Sequence, residues 1–203
     1  MKPVVIVAGL GRCGTTLTMN MLAAGGIPGA GRAPAYEPDE IKGDIDPAWL
    51  DAQAGRCVKL LDAHGGQLPP MTAASTPRRV LWLDRDPVEQ AKSQAKMAVT
   101  LGGFAKPNRA HMRRWIAGLP QDRRRARLAL VAAGCPIERE FKFEQLLKDP
   151  ETVARKLADW LRPDFGDLDE EAMARVVIPR SPRCAPDLSL EVRLIEEAER
   201  AAA

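Results

Sequence analysis

The sequence predicts a three-layer α/β/α sandwich about a central parallel sheet, and three observations predict it. Short β-rich runs recur along the chain, helical patterns fall between them, and the first run ends in a glycine turn that opens into a helix. Strands buried on both faces of a parallel sheet read as nearly continuous apolar runs. "VVIVAGL" at 4–10 and "RVLWLD" at 79–84 are such runs, and "CVKLL" at 57–61 and "IEREFKF" at 137–143 supply two more strands.

Taken in order, the first strand gives way to a glycine loop and a helix within "VVIVAGLGRCGTTLTMNML", residues 4–22. The stretch 28–47, "PGAGRAPAYEPDEIKGDIDP", is too rich in Pro, Gly and acidic residues for a regular element, and an irregular segment of that length inside a compact domain is usually functional or disordered. After the strand at 79–84, Asp86 can cap a helix, Pro87 suits its first position and Glu89 completes a capping box. The run "RRRAR" at 123–127 stands in a helical context and reads as a solvated face. Asp149 and Pro150 repeat the capping device ahead of an apolar stripe of Val153, Leu157, Trp160 and Leu161. "LDEEAMARVV" and "LSLEVRLIEEAERAAA" read as two further helices.

The chain has 203 residues, a length expected of one domain, here 1–203, with a substantial core. Thirty basic against 27 acidic side chains give a formal charge of +3, too small a bias for a broad nucleic-acid surface but compatible with a local anion site. The apolar stretch from Pro3 to Leu10 is about a third of a membrane span, so neither an anchor nor a secretory signal is expected, and the protein reads as cytoplasmic. Cys13, Cys57, Cys135 and Cys184 form no Cys-x-x-Cys pair and have no histidine at ligand spacing, so they read as free thiols and no metal site is expected. Cys13 stands where a helix N-terminus can lower a thiol's pKa, although occupying a small-residue position is its simpler role.

The glycine loop carries the chemistry. Gly9 and Gly14 have the spacing of a G-x-x-x-x-G-K-[ST] phosphate loop, but Thr15 occupies the lysine position and Thr16 follows it. Unpaired N–H groups at the helix start still favour an anion. The cation is Arg12 within the loop, whose planar fork suits paired phosphate or sulfate oxygens. Gly11 and Gly14 allow the loop to wrap.

"GLGRCGTTL" resembles the 5′-phosphosulfate loop of the P-loop sulfotransferases, whose pattern is roughly G-x-x-[RK]-[SCT]-G-T-[TS]. The resemblance implies a P-loop NTPase-like fold and 3′-phosphoadenosine 5′-phosphosulfate (PAPS) as sulfuryl donor. It assigns Gly11, Arg12, Cys13, Gly14, Thr15 and Thr16 to the donor's phosphosulfate. "RDPVEQAKS" is similar to the family's 3′-phosphate motif, R-[ND]-P-x-[DE]-x-x-x-S, which implies that role for Arg85 and Ser93. "FKFEQLLKDPETVARKLADWL" is similar to a strand and helix that support the fold, with Glu144 able to tie strand to loop. The late Arg-Lys-Gly loop of the cytosolic animal enzymes is missing, and Arg180 and Arg183 are its possible substitutes.

Sulfuryl transfer to a hydroxyl or amine requires a base and cations near the leaving phosphate. Two residues compete for the base. Glu37 follows Arg12 by the family's approximate interval and is preferred, because Asp39 and Glu40 in the same loop can raise its pKa. His64 follows the strand at 57–61, much as the base of the histidine-using members precedes its arginine. Lys59 resembles a lysine that assists the leaving group there, or is an edge charge. His111 reads as a helix-surface residue. One tyrosine and 4% aromatic residues suggest a small polar acceptor, such as a sugar, amino alcohol or peptide, rather than a planar phenol or steroid; oligomeric state is not indicated. A Mg²⁺-dependent small-molecule kinase using Asp84 or Asp86, and a nucleotide-binding protein without catalysis, are the alternatives.

Overall fold

The structure is a computed structural model that describes residues 1–100, 107–180 and 183. Its strands are β1 (Val4–Gly9), β2 (Cys57–Leu61), β3 (Arg78–Asp84) and β4 (Ile137–Lys142). Its helices are α1 (Thr15–Ala24), α2 (Pro47–Asp51), α3 (Pro87–Thr100), α4 (Arg109–Ala132), α5 (Phe143–Lys148), α6 (Pro150–Phe165) and α7 (Glu170–Arg175). The four strands form one parallel sheet in the order β2-β1-β3-β4.

The alternation of side chains along β1 divides the core into two. Val5 and Val7 face a cluster shared with α1, α5, α6 and α7, while Val4, Ile6 and Ala8 face one shared with α2, α3 and α4. Every β1 residue is buried, which explains its unbroken apolar run. By contrast β4 is an edge strand in which only Phe141 is buried, so charged residues make up most of it. The predicted α/β/α layering therefore stands.

The two predicted aspartate caps are present, but the capping box expected of Glu89 is not shown: Glu89 pairs with Lys92 at 2.7 Å and the Asp86 N–H goes to Glu144. Asp86 accepts the N–H groups of Val88 and Glu89, both at 3.0 Å, and Asp149 accepts that of Thr152 at 3.1 Å. Glu144 accepts the Asp86 N–H at 3.0 Å and so ties α5 to the β3–α3 junction. The apolar stripe of α6 lies in the core.

Several boundaries differ. β1 ends at Gly9, whose carbonyl accepts the Asp62 N–H at 3.0 Å, so Leu10 already belongs to the loop. Phe143 opens α5 instead of ending β4, since the Gln145 side chain accepts the Lys142 N–H and closes the strand. The segment 28–46 is irregular as expected, with one 3₁₀ turn at Asp39–Ile41, but it is packed: Tyr36 is buried against Gly29.

The reading of 123–127 as a solvated face needs correction. Arg124 and Arg125 are exposed, but Arg127 pairs with Glu140 and lies 5.4 Å from the Trp82 ring, and Arg123 turns inward onto the end of β3. A helix laid along a sheet presents one such residue inward per turn, and a run of five necessarily includes some. Among the described residues no helix is long and apolar enough to cross a membrane. The last predicted helix, in 188–203, and Cys184 lie outside the described residues.

Candidate active site

The loop between β1 and α1 occupies the point where the sheet order diverges, with β2 on one side of β1 and β3 on the other. Crevices at the carboxyl ends of such strands are where open α/β sheets bind ligands. Gly14 has φ 101°, a conformation that favours glycine, and a Cβ added there would stand 2.7 Å from the Phe143 ring. Gly9 is constrained by packing: its Cβ would meet the Cys13 sulfur at 2.4 Å. No side chain caps the start of α1, so its first-turn N–H groups face the loop.

Helix α3 holds the loop from the side. Gln90 and Gln94 donate to the Gly11 carbonyl at 2.9 and 3.0 Å, while the Arg12 Nε donates to the Ser93 Oγ at 3.0 Å. These three α3 residues are spaced i, i+3, i+4 and share one helix face. Arg85, buried at the β3–α3 junction, donates to the Arg12 carbonyl at 3.1 Å, and its guanidinium lies 4.4 Å from the centroid of Phe143. Arg180 reaches the same ring at 5.9 Å. The two motifs, more than 70 residues apart in sequence, thus meet around one arginine.

On the other side stands Lys59. Its side chain is wholly enclosed, and its Nζ donates to Thr16 Oγ1 at 3.0 Å, to the Ala35 carbonyl and to Glu37 Oε1. It is therefore not an edge charge: β2 is an edge strand, but this residue pairs with Val7 and points under the loop. Burial pushes the Lys59 ammonium below its usual range, and the Glu37 carboxylate pulls it back up. The preferred base of the sequence reading, Glu37, is thereby engaged in an ion pair, and the pair fastens the segment 28–46 over α1.

His64 and Glu37 lie on different sides of the loop. His64 is exposed and lines a cavity of about 1170 Å³ together with Gly11, Arg12 and Asp62. Asp62 was not anticipated. It has φ 50°, accepts the Gly11 N–H at 3.0 Å through Oδ1, and opens into the cavity, where surrounding protein desolvates the carboxyl and pushes its pKa up. Its only signal in the sequence was its position directly after a strand.

The simpler role expected of Cys13, filling a small-residue position, fits the structure better than a reactive thiol does. The residue is buried, and desolvation pushes its thiol up to about 12, outweighing the helix N-terminus. It fills space behind Gly9, and its side chain is not available to a ligand. Cys57 and Cys135 are likewise free and buried. His111 is exposed near the start of α4, as expected. Asp84 forms an ion pair with Arg123 at 2.9 Å, and Arg123 also donates to the Arg85 carbonyl and to Gln90 Oε1. Thr15 is buried and Thr16 half-buried at the start of α1.

No family model matches the chain, and no curated protein matches it. Solved structures do. A sulfotransferase from Alicyclobacillus acidocaldarius is 15% identical, with a TM-score of 0.52 over 98% of this chain and 92% of that one. Retinol dehydratase in a complex with retinol and PAP is 18% identical, with a TM-score of 0.52 over 87% of this chain. The chain spans 64% of the retinol dehydratase length. The fold built around this loop is the one those sulfotransferase and dehydratase structures share.

Proposed function

We propose that the protein is a sulfotransferase that moves a sulfuryl group from PAPS to a hydroxyl or amine. The observation that supports it best is the convergence of Arg12, Arg85 and Ser93. The donor set fits such a ligand: two guanidiniums, hydroxyls of Ser93 and Thr16, an ammonium and an uncapped helix start are all suited to anionic oxygens. Arg12 with the backbone of Gly11 to Thr16 would hold the 5′-phosphosulfate, and Arg85, Ser93 and Arg180 the 3′-phosphate. When bound, the donor supplies the sulfuryl group and leaves as the 3′,5′-bisphosphate (PAP). Lys59 and Arg12 would supply the positive charge on the leaving side.

His64 takes the acceptor's proton on this reading, because it shares the cavity with Arg12 whereas Glu37 is held by Lys59. Glu37 remains the second candidate, since its pairing with Lys59 leaves one carboxylate oxygen to accept a proton. We place the protein in the cytoplasm, supported by three buried free thiols.

The kinase alternative needs a strand-end aspartate for a metal-bound water, but Asp84 is committed to Arg123 and Asp86 caps α3. Calorimetric titration decides between them. PAP binds without metal and is lost in Arg12→Ala and Arg85→Ala, while ATP with Mg²⁺ binds weakly. Binding of ATP with Mg²⁺ alone would overturn the proposal, and unchanged PAP affinity in Arg12→Ala would remove the role given to the loop. Loss of turnover in His64→Ala with PAP affinity kept, against turnover kept in Glu37→Gln, identifies the base.

A further inference from the structure

We infer that Asp62 determines which donor the loop accepts: its carboxylate, fixed beside the loop, selects a terminal sulfuryl over a terminal phosphoryl. The inference rests on the sulfotransferase reading and adds a specificity-determining residue to its donor site. The two groups share a tetrahedral shape and nearly the same size, so contact shape alone hardly separates them, and charge must. A terminal sulfuryl carries a single negative charge, whereas a terminal phosphoryl approaches about two once the pH is above its second pKa of about 6.

The loop is built for the smaller charge. The lysine that a G-x-x-x-x-G-K-[ST] loop turns to its outer phosphates is replaced by Thr15. Lys59 does reach Thr16, but it comes paired with Glu37. On the cavity side Asp62 is clamped twice: its N–H donates to the Gly9 carbonyl at 3.0 Å, and its Oδ1 accepts the Gly11 N–H at 3.0 Å. That second bond turns one of the loop's own anion-binding donors over to a resident anion. Gln90 and Gln94 hold the Gly11 carbonyl and keep the residue in that orientation. The other oxygen, Oδ2, stands 3.5 Å from the place a Gly11 Cβ would take, on the cavity that Arg12 also lines. His64, Asp122 and Arg125 are the other charged or titratable groups lining that cavity, and the last two lie 3.7 Å apart. By Coulomb's law a carboxylate at this place repels a dianionic terminal group about twice as strongly as a monoanionic one.

The test is calorimetry without metal at pH 8, comparing PAPS with 3′-phosphoadenosine 5′-diphosphate, which carries a phosphoryl where PAPS carries the sulfuryl and is otherwise the same molecule. The wild-type protein should favour PAPS by about ten-fold or more. Asp62→Asn keeps an oxygen for the Gly11 N–H and removes the charge, so the ratio of the two affinities should fall to about three-fold or less. Asp62→Ser, also uncharged, repeats the measurement should Asp62→Asn fail to fold. Equal binding of both ligands by the wild-type protein overturns the inference. So does a variant that weakens both to the same extent, because a clamp without selectivity moves both affinities and leaves their ratio alone. Failure of PAPS to bind the wild-type protein overturns instead the sulfotransferase reading on which the selectivity rests.

Discussion

Gly14 shows how one residue can carry both a backbone and a packing requirement. Its φ of 101° costs a side-chain-bearing residue about 1–2 kcal/mol, and the Phe143 ring fills the space that a methyl group would need. Gly14→Ala should therefore lose about 2 kcal/mol or more in urea melts and weaken PAP binding as well. Lys59 poses an electrostatic problem instead. A lysine whose folded pKa is lowered imposes a penalty at low pH that is relieved as pH rises towards its usual 10.5. Glu37 reduces that penalty. Glu37→Ala should thus cost about 1–3 kcal/mol at pH 7, and the variant should regain stability between pH 7 and pH 10 more steeply than the parent. Parallel pH–stability curves for the two proteins would show that the pair contributes nothing.

Helix α3 positions the site through its inward face, and Arg123 of α4 supports that helix from behind. Arg123 joins Asp84 of β3, the Arg85 carbonyl and Gln90, which in turn holds the Gly11 carbonyl. Removing it leaves an aspartate and a buried amide without their partner, so Arg123→Ala should cost about 2–3 kcal/mol. Arg123→Lys should recover only part of this, because an ammonium lacks the planar fork that spans three acceptors. Thermal melts measure the first effect, and PAP titration shows whether the loop moves with it. The capping signals of α3 and α6 were readable in advance because a cap depends on residues within three positions of each other. The inward turn of Arg123 and Arg127 was not, because a basic run carries no mark of which members face the sheet.

For the molecule as a whole, a ligand that binds only the folded state stabilises it by mass action. PAP at 100 times its dissociation constant should add about 2.7 kcal/mol, a rise of about 5–10 °C in Tm for a chain of this size. Mg²⁺ should leave that rise unchanged, whereas a shift with ATP and Mg²⁺ alone would speak for the kinase. The four-stranded parallel order places β1 between β2 and β3, and so brings residues from three strand ends to one loop.

The amino-acid sequence by itself determined the parallel α/β class, the strand–glycine loop–helix, the Arg12 substitution and the pairing of Arg85 with Ser93 by motif. Each is a matter of short-range spacing, hydrophobic period or backbone conformation, and such requirements act over a few residues. Tertiary structure alone decided that Lys59 lies buried under Thr16 and Glu37, that Asp62 reaches back 51 positions to Gly11, and that Ser93 meets Arg12 across 81. It also placed a cavity between the loop after β2, α3 and α4, lined by aliphatic side chains and Trp115 together with Arg12, Asp62, His64, Asp122 and Arg125. Few aromatics in the whole chain say little about a wall that one tryptophan and several aliphatic side chains form together, because helices distant in sequence become neighbours only when the sheet between them is assembled.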